Sequence, residues 1–415
     1  MGALVRLASR SMHIESQREA DEEQAPKAPE ARRPELLTLT SVRAFAALEV
    51  VLLHVLFELG GKQAQSLPGF VVELLTRGGL AVSFFFVLSG FILAYTYCDS
   101  EGRLRGTRAK FWRARFARIY PLYLLGFALD AQRAVSFFIS TAVSLAGGLV
   151  KIGIAAFAYL TLLQSWHPRV TNSWNTPGWS LSTEAFFYAV FPALIALTGH
   201  WRFTRLIGAA FGLWALPIAA YAIIYRSHPA SITPAAAQTF WRSFPPLRLP
   251  EFMLGVAAGR LFLSGRVRPH LKWLRRSGVA ASVLVVGLPA ASLAFVPKLV
   301  VAPTLYAPLF AIAVLAVACD ALPIPAWLGS APLVLLGRAS YGVYILHLPF
   351  ELIFIRAASL IHFESPSPAL LISYLVTLEV ACVALFLWFE DPLRRLISNS
   401  LSNSRRIAPQ PNVDG

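Results

Sequence analysis

Arg43, Glu49 and His54 lie in SVRAFAALEVVLLHV, residues 41–55, a stretch that is otherwise almost wholly apolar. Arg43 and His54 are eleven residues apart. At about 100° per residue that is close to three turns, which puts both on one helix face, roughly 16 Å apart along the axis. An ionisable group near a bilayer centre costs about 2.5–3.5 kcal/mol on insertion scales, so such groups normally face a polar interior and serve a function. Arg43, one turn from the start of the apolar run, has a second reading, in which its head snorkels to the interface. His54 lies too deep for that, and its imidazole is either a structural hydrogen-bonder or a proton-transfer group. Glu49 is off the shared face and is expected to meet another helix.

Three further clusters carry polar chemistry. KFWRARFARIYPLY, residues 110–123, places Arg115 and Arg118 three apart on one helical face. Guanidinium forks bind phosphate oxygens in pairs, so the two arginines suit a polyanion, and they equally suit anchoring at a membrane boundary. NSWNTPGWSLSTEAFFYAVFP, residues 172–192, brings Glu184 into the first turn of a helix expected after the Pro177–Gly178 turn. There a carboxylate either complements the helix dipole or takes part in proton transfer. LLGRASYGVYILHLPFELI, residues 335–353, spaces Ser340, Tyr344, His347 and Glu351 four, three and four apart, a single polar stripe that lines a cavity or meets a facing helix. Cys98, Cys319 and Cys382 have no paired spacing, and the pattern gives no metal motif.

These residues need elements to position them. The chain of 415 residues is 56% hydrophobic and 14% charged, which places it in the membrane class. Apolar runs long enough to cross a bilayer recur from residue 36 to residue 389, and in lipid such runs are helical. Helices are expected at about 36–59, 78–97, 183–198, 206–225, 247–264, 278–296, 300–319, 333–355 and 368–389. Residues 116–166, broken by Asp130, Arg133, Gly147, Gly148 and Lys151, make one crossing or three. The expected fold is therefore an all-α polytopic membrane protein with about ten, up to twelve, transmembrane helices.

The net charge of +15 is concentrated in loops rather than on one soluble face, which argues against a nucleic-acid partner. Arg103, Arg105, Arg108, Lys110, Arg113, Arg115 and Arg118 crowd the stretch 98–118, and Arg266, Arg268, Lys272, Arg275 and Arg276 the stretch 265–276. With both termini cytoplasmic, these segments fall inside, as the positive-inside rule requires. Residues 1–35, polar and without the h-region of a signal peptide, read as a disordered cytoplasmic tail, 36–395 as the membrane domain and 396–415 as a second disordered tail.

Taken in order, the segments resemble the acyltransferase-3 family of integral-membrane O-acyltransferases. Arg43 and His54 match its pattern of Arg, ten residues, His in the first membrane helix, and FFFVLSGFIL is similar to its phenylalanine-rich second helix. Arg115 and Arg118 match its Arg-x-x-Arg, and WSLSTEAFFYAVFP resembles its Trp-Ser-Leu-Ser-x-Glu block. EFMLGVAAGRL, LGRASYGVYILHLP and FEDP fall where similar segments of the family lie, so the resemblance covers roughly residues 36–395. The family often has Asp before the second-helix phenylalanines, where this chain has Ser83, a variant reminiscent of members that acylate macrolides or other metabolites. No SGNH-type hydrolase domain is expected after the last membrane helix, so the membrane unit would complete the transfer itself or hand the acyl group to a separate partner.

The resemblance implies transfer of an acyl group, most simply acetyl, from acyl-CoA to a hydroxyl of an exopolysaccharide, lipopolysaccharide or other envelope glycan, or of a secondary metabolite. Acyl-CoA is then a co-substrate, with no permanently bound cofactor and no metal. Arg43, Arg115 and Arg118 would hold the donor. His54, with Glu184, would handle the proton, and Trp179, Ser182, Tyr344 and His347 would line the acceptor site. The bacterial inner membrane is the expected location, and a homo-oligomer is open. A transporter or flippase of a glycolipid or small metabolite is the alternative, since intramembrane charges also serve as substrate or proton sites.

Overall fold

The computed structural model describes residues 33–75, 78–231, 234–292, 302–363 and 366–403. The helices in chain order are α1 (Leu37–Gln65), α2 (Gly69–Leu75), α3 (Gly78–Tyr97), α4 (Arg108–Leu129), α5 (Ala131–Ser140), α6 (Leu145–Leu160), α7 (Gly178–Thr198) and α8 (Phe203–Ser227). There follow α9 (Ala235–Ser243), α10 (Pro245–Leu263), α11 (Leu271–Ser292), α12 (Ala302–Leu305), α13 (Ala307–Ala318), α14 (Ala331–Leu360), α15 (Pro368–Leu385) and α16 (Asp391–Asn403). Among the described residues there is no strand, only one isolated bridge between Cys98 and Leu104.

Helix starts follow local chemistry. Thr107 caps α4 by accepting from Lys110 N at 3.3 Å, and Ser144 and Ser367 cap α6 and α15 in the same way. Proline in the first turn, where the missing N–H costs nothing, opens α10, α13, α14 and α15. Near its end α1 breaks at Gly61, whose φ of +65° suits glycine and whose Cβ, if present, would lie 2.8 Å from Pro366 O.

Among the described residues five helices are long and apolar enough to cross a membrane, α3, α7, α8, α14 and α15 with its extension; six if the pair α4–α5, bent by 48°, is one span. This is fewer than the ten to twelve expected. The physical reason is that central helices carry charge: α1 holds Arg43, Glu49, His54 and Glu58, and α10 holds Arg248, Glu251 and Arg260. The helix expected at 278–296 starts seven residues earlier, at Leu271, and its last part, with the start of the next, lies outside the described residues. The uncertain stretch 116–166 resolves into α4, α5, α6 and a short 3₁₀ turn.

Two close crossings set the core. A Cβ on Gly255 would sit 1.9 Å from Val87 O and one on Gly90 2.1 Å from Phe252 O, so α3 and α10 touch backbone to backbone. At the second crossing a Cβ on Gly337 would lie 1.9 Å from Thr40 O. Gly337 of α14 thus packs near the start of α1, while His347 meets His54 further along, so these two helices run parallel. Helix α3 runs opposite to α1, with Gly78 against Val50 and Leu53. The N-terminal ends of α1, α4 and α14 and the basic loop after α3 therefore share one end of the bundle. Phe187 stacks on Phe252 in the core, with ring centroids 4.7 Å apart, and meets Phe86 edge to face at 5.2 Å.

The proline of the FEDP segment does not stop the chain's helix. Phe386–Glu390 form a π turn, and the helix resumes as α16 with Pro392 in its first turn, where proline is tolerated. The helix continues to Asn403, past the start expected for a disordered tail at 396. The tail expected over 1–35 lies almost wholly outside the described residues.

Candidate active site

A cavity of about 140 Å³ opens among α1, α3, α4, α7 and α14. Its polar wall comprises Arg43, Ser89, Arg115, Arg118, Ser180, Glu184, Tyr188, Ser340, Tyr341 and Tyr344, and Phe85 and Phe86 supply part of the apolar one. Each arginine arrives for a local reason. Arg43 sits one turn and a half into α1, just past the Gly337 crossing, within electrostatic range of Arg118, Glu184 and Glu390. Arg115 and Arg118, a turn apart on α4, both turn inward.

Their partners differ. Arg115 donates to Tyr97 Oη at 2.9 Å and lies over the Tyr97 and Tyr188 rings, while its buried Nε has no partner among the described residues. Arg118 is ion-paired with Glu390 from the π turn and stacks over the Tyr341 ring. Glu184 accepts from Ser89 Oγ at 3.1 Å and from Tyr188 Oη at 2.5 Å. Three guanidiniums against the carboxylates of Glu184 and Glu390 leave the cavity one positive charge in excess. Such a site, walled by low-dielectric aromatic rings, favours an anion.

His54 does not line this cavity. It lies further along α1, half-buried, with its ring centroid 5.0 Å from that of the fully buried His347. Tyr344 stands between, its hydroxyl 2.6 Å from Ser180 Oγ and its ring 6.5 Å from His347. Hydrogen bonds assign the tautomers. His347 Nδ1 lies 2.8 Å from Tyr344 O and His54 Nδ1 2.8 Å from Val50 O; a carbonyl only accepts, so both Nδ1 atoms carry hydrogen. The one hydrogen on His54 Nδ1 is then shared between Val50 O and, at 3.3 Å, His347 Nε2, and the lone pair of neutral His54 is on Nε2. Tyr374 fixes this turn of α14 by donating to His347 O at 2.7 Å.

Of the residues singled out in the sequence, the fold gathers Arg43, Arg115, Arg118, Glu184 and Tyr344 in the cavity and pairs His54 with His347 beyond it. Glu184 stands among the arginines rather than beside His54. Trp179 packs edge-on to Phe86 and Ser182 is buried, donating to Leu162 O at 2.6 Å; neither lines the cavity. Glu49 is half-buried and also outside it. Sequence reasoning missed Tyr97, Tyr188 and the pairing of Glu390 with Arg118. Only Tyr188, one turn after Glu184, had a visible spacing signal. No group of three His, Cys, Asp or Glu placed to hold a metal occurs among the described residues.

An all-helical bundle with membrane-length apolar helices and an arginine-lined cavity, with an imidazole pair behind it, defines a helical membrane protein with an internal polar site. The comparisons narrow that class: residues 37–387 match the model of the acyltransferase-3 family, described as an acyltransferase domain, and the chain belongs to this family. It is similar to Acyltransferase MdmB of Streptomyces mycarofaciens, 33% identical over 335 residues, covering 75% of this chain and 78% of that one. It is also similar to Exopolysaccharide production protein ExoZ of Rhizobium meliloti (strain 1021), 28% identical over 330 residues, 77% of this chain and 90% of that one. Nodulation protein 10 of Rhizobium leguminosarum bv. viciae is 27% identical over 335 residues, 74% of this chain and 80% of that protein. No solved structure matches. The chain is a helical membrane protein and an O-acyltransferase.

Proposed function

We propose that the enzyme moves an acetyl group from acetyl-CoA to a hydroxyl of an envelope carbohydrate or a secondary metabolite. The observation that carries this reading is the cavity in which Arg43, Arg115 and Arg118 meet around one carboxylate, Glu184, with the His54–His347 pair one layer deeper. In this reading the cavity takes the reactive end of the donor. Arg115, with an unpartnered buried Nε, and Arg43 hold the anionic arm. Arg118 exchanges part of its pairing with Glu390 for the donor. His54 Nε2 takes the proton of the acceptor hydroxyl as its oxygen attacks the thioester carbonyl, with His347 holding the ring in the required tautomer. Glu184 keeps the arginine heads apart and aimed into the cavity. The end that gathers Arg103, Arg105, Arg108 and Lys110 is then cytoplasmic, in a bacterial inner membrane, and the donor enters there.

Two relatives support this reading: one is named as an acyltransferase, the other for exopolysaccharide production. The test is the purified full chain in lipid nanodiscs with acetyl-CoA labelled in the acetyl group. Loss of thioester with label appearing on a hydroxyl acceptor supports the reading; an intact thioester in the presence of extracts from the producing cells overturns it. Mass spectra of glycans and metabolites from deletion and parent cells then identify the acceptor by the loss of one acetyl.

A further inference from the structure

Beyond the histidine pair, α1 and α14 hold a second pair. Glu58 follows His54 by four residues and Glu351 follows His347 by four. Because the helices are parallel, the same step on each keeps the facing sides in register, about 6 Å further along. By that register the carboxyls of Glu58 and Glu351 come within electrostatic range of each other. Glu351 is 7% exposed whereas Glu58 is open, and no N–H or hydroxyl among the described residues donates to the buried Glu351 Oε1. Two carboxylates have no donor between them, so this contact holds one proton and leaves one negative charge.

The other groups near the two pairs do not supply that charge. Tyr374 of α15 faces Glu351 but spends its hydroxyl on His347 O. Arg242 of α9 faces His54 and Tyr344 as a cation, and His347 is an uncharged acceptor. Glu58 is the acidic group that His54 feels.

We infer that the Glu58–Glu351 pair is the counter-charge and proton outlet of His54, a positioning pair one turn behind the base. The inference rests on the acyl transfer proposed above. In that reaction the acceptor O–H bond breaks with its proton moving to His54 Nε2, the oxygen forms the ester bond, and the C–S bond breaks with the electron pair leaving on sulfur. The thiolate takes a proton from water. The imidazolium, opposed by Arg242, is held by the single negative charge of the carboxyl pair. It returns to neutral by passing its surplus proton to that pair, which releases it to water through the open Glu58.

The two carboxyls are not equivalent, which gives the test. In Glu58→Gln the remaining Glu351 is buried beside an amide and keeps its proton, so the charge is lost. In Glu351→Gln the open Glu58 carboxyl is retained. Acetyl transfer by the full chain in nanodiscs is measured across pH for both. Glu58→Gln is expected to lower kcat about tenfold and to move the acid limb of the kcat profile to lower pH by about one unit, because an opposite charge at this range shifts a titration by that order. The direction follows from the imidazolium losing its stabilising charge. The KM for acetyl-CoA should not change. Glu351→Gln should leave the acid limb in place, and Glu58→Asp should restore it. A folded Glu58→Gln protein with an unmoved limb, or equal loss at every pH, overturns the inference. If the parent enzyme does not transfer acetyl from acetyl-CoA, there is no profile to compare and it is the proposed function that fails.

Discussion

Replacing His54 by Gln separates base chemistry from packing. The amide can still donate toward His347 Nε2, which otherwise loses its partner at 3.3 Å, but it cannot accept a proton at neutral pH. A general base contributes about 10²–10⁴-fold, or about 2.7–5.4 kcal/mol of activation free energy. His54→Gln should therefore fall to this level in kcat with the KM for acetyl-CoA within twofold, because Arg43 and the α4 arginines are untouched. The companion His54→Ala strands the fully buried His347 Nε2 without a donor, at a cost of about 1–3 kcal/mol in stability. It should melt lower than His54→Gln while being no less active. The assay is single-turnover acetyl transfer in nanodiscs with thermal melting of the same preparations. Turnover of His54→Gln within threefold of the parent, with melting unchanged, refutes the assignment of His54 as base.

Two further outcomes follow from the cavity and its frame. Arg115→Ala removes a guanidinium whose hydrogen bonds to a charged group are worth about 1.5–3 kcal/mol, so donor KM should rise about 10- to 150-fold with a smaller change in kcat; an unchanged KM assigns Arg115 to lipid anchoring. Gly337→Ala places a Cβ 1.9 Å from Thr40 O, backbone against backbone, so α1 and α14 must part. Overpacking of this kind costs about 1–3 kcal/mol, and melting in detergent and acetyl transfer should fall together as the His54–His347 contact opens.

The chemistry-bearing faces of α1, α4 and α14 were legible because helical spacing is local: Arg43 with His54, Arg115 with Arg118, and the stripe Ser340–Tyr344–His347–Glu351 each need only 3.6 residues per turn. What faces those stripes was not legible. Nothing in sequence brings His54 to His347 or Arg118 to Glu390, pairs separated by 293 and 272 residues. Their meeting depends on which helices run parallel, and that is decided by backbone crossings at Gly337 and Gly255. Glu184 was misplaced near an imidazole for the same reason, and the dipole argument also set it in a first turn, whereas α7 begins six residues earlier, at Gly178, and has no acidic residue in its first turn. The span count from hydropathy runs counted α1 and α10 alongside their neighbours, and the count of membrane-length apolar helices contains neither.

Ser83 shows how charge number constrains this core. Its hydroxyl lies 2.9 Å from Pro303 O and within hydrogen-bonding reach of Glu251. Glu251, fully buried, pairs with Arg248 at 3.0 Å and accepts from Thr304 Oγ1 at 2.7 Å, and Thr304 in turn accepts from Arg248. One cation and one carboxylate thus tie α3, α10 and α12 together, with the Arg248 guanidinium over the Phe86 ring beside the cavity. Here Ser83→Asp would add a second carboxylate against Glu251 and a carbonyl, where among the described residues Arg248 is the cation bonded to Glu251 and Thr304, and an uncompensated buried charge costs about 3–5 kcal/mol. Glu251→Gln alone strands Arg248 at a similar cost. In the double variant the new carboxylate replaces the lost one as the partner of Arg248, so much of both penalties should vanish. Thermal melting of the four proteins in detergent measures the coupling, expected at about 2 kcal/mol or more, within the range for groups in one network. Strictly additive losses would mean that the node does not count charges, and that Ser83 stands where it does for packing alone.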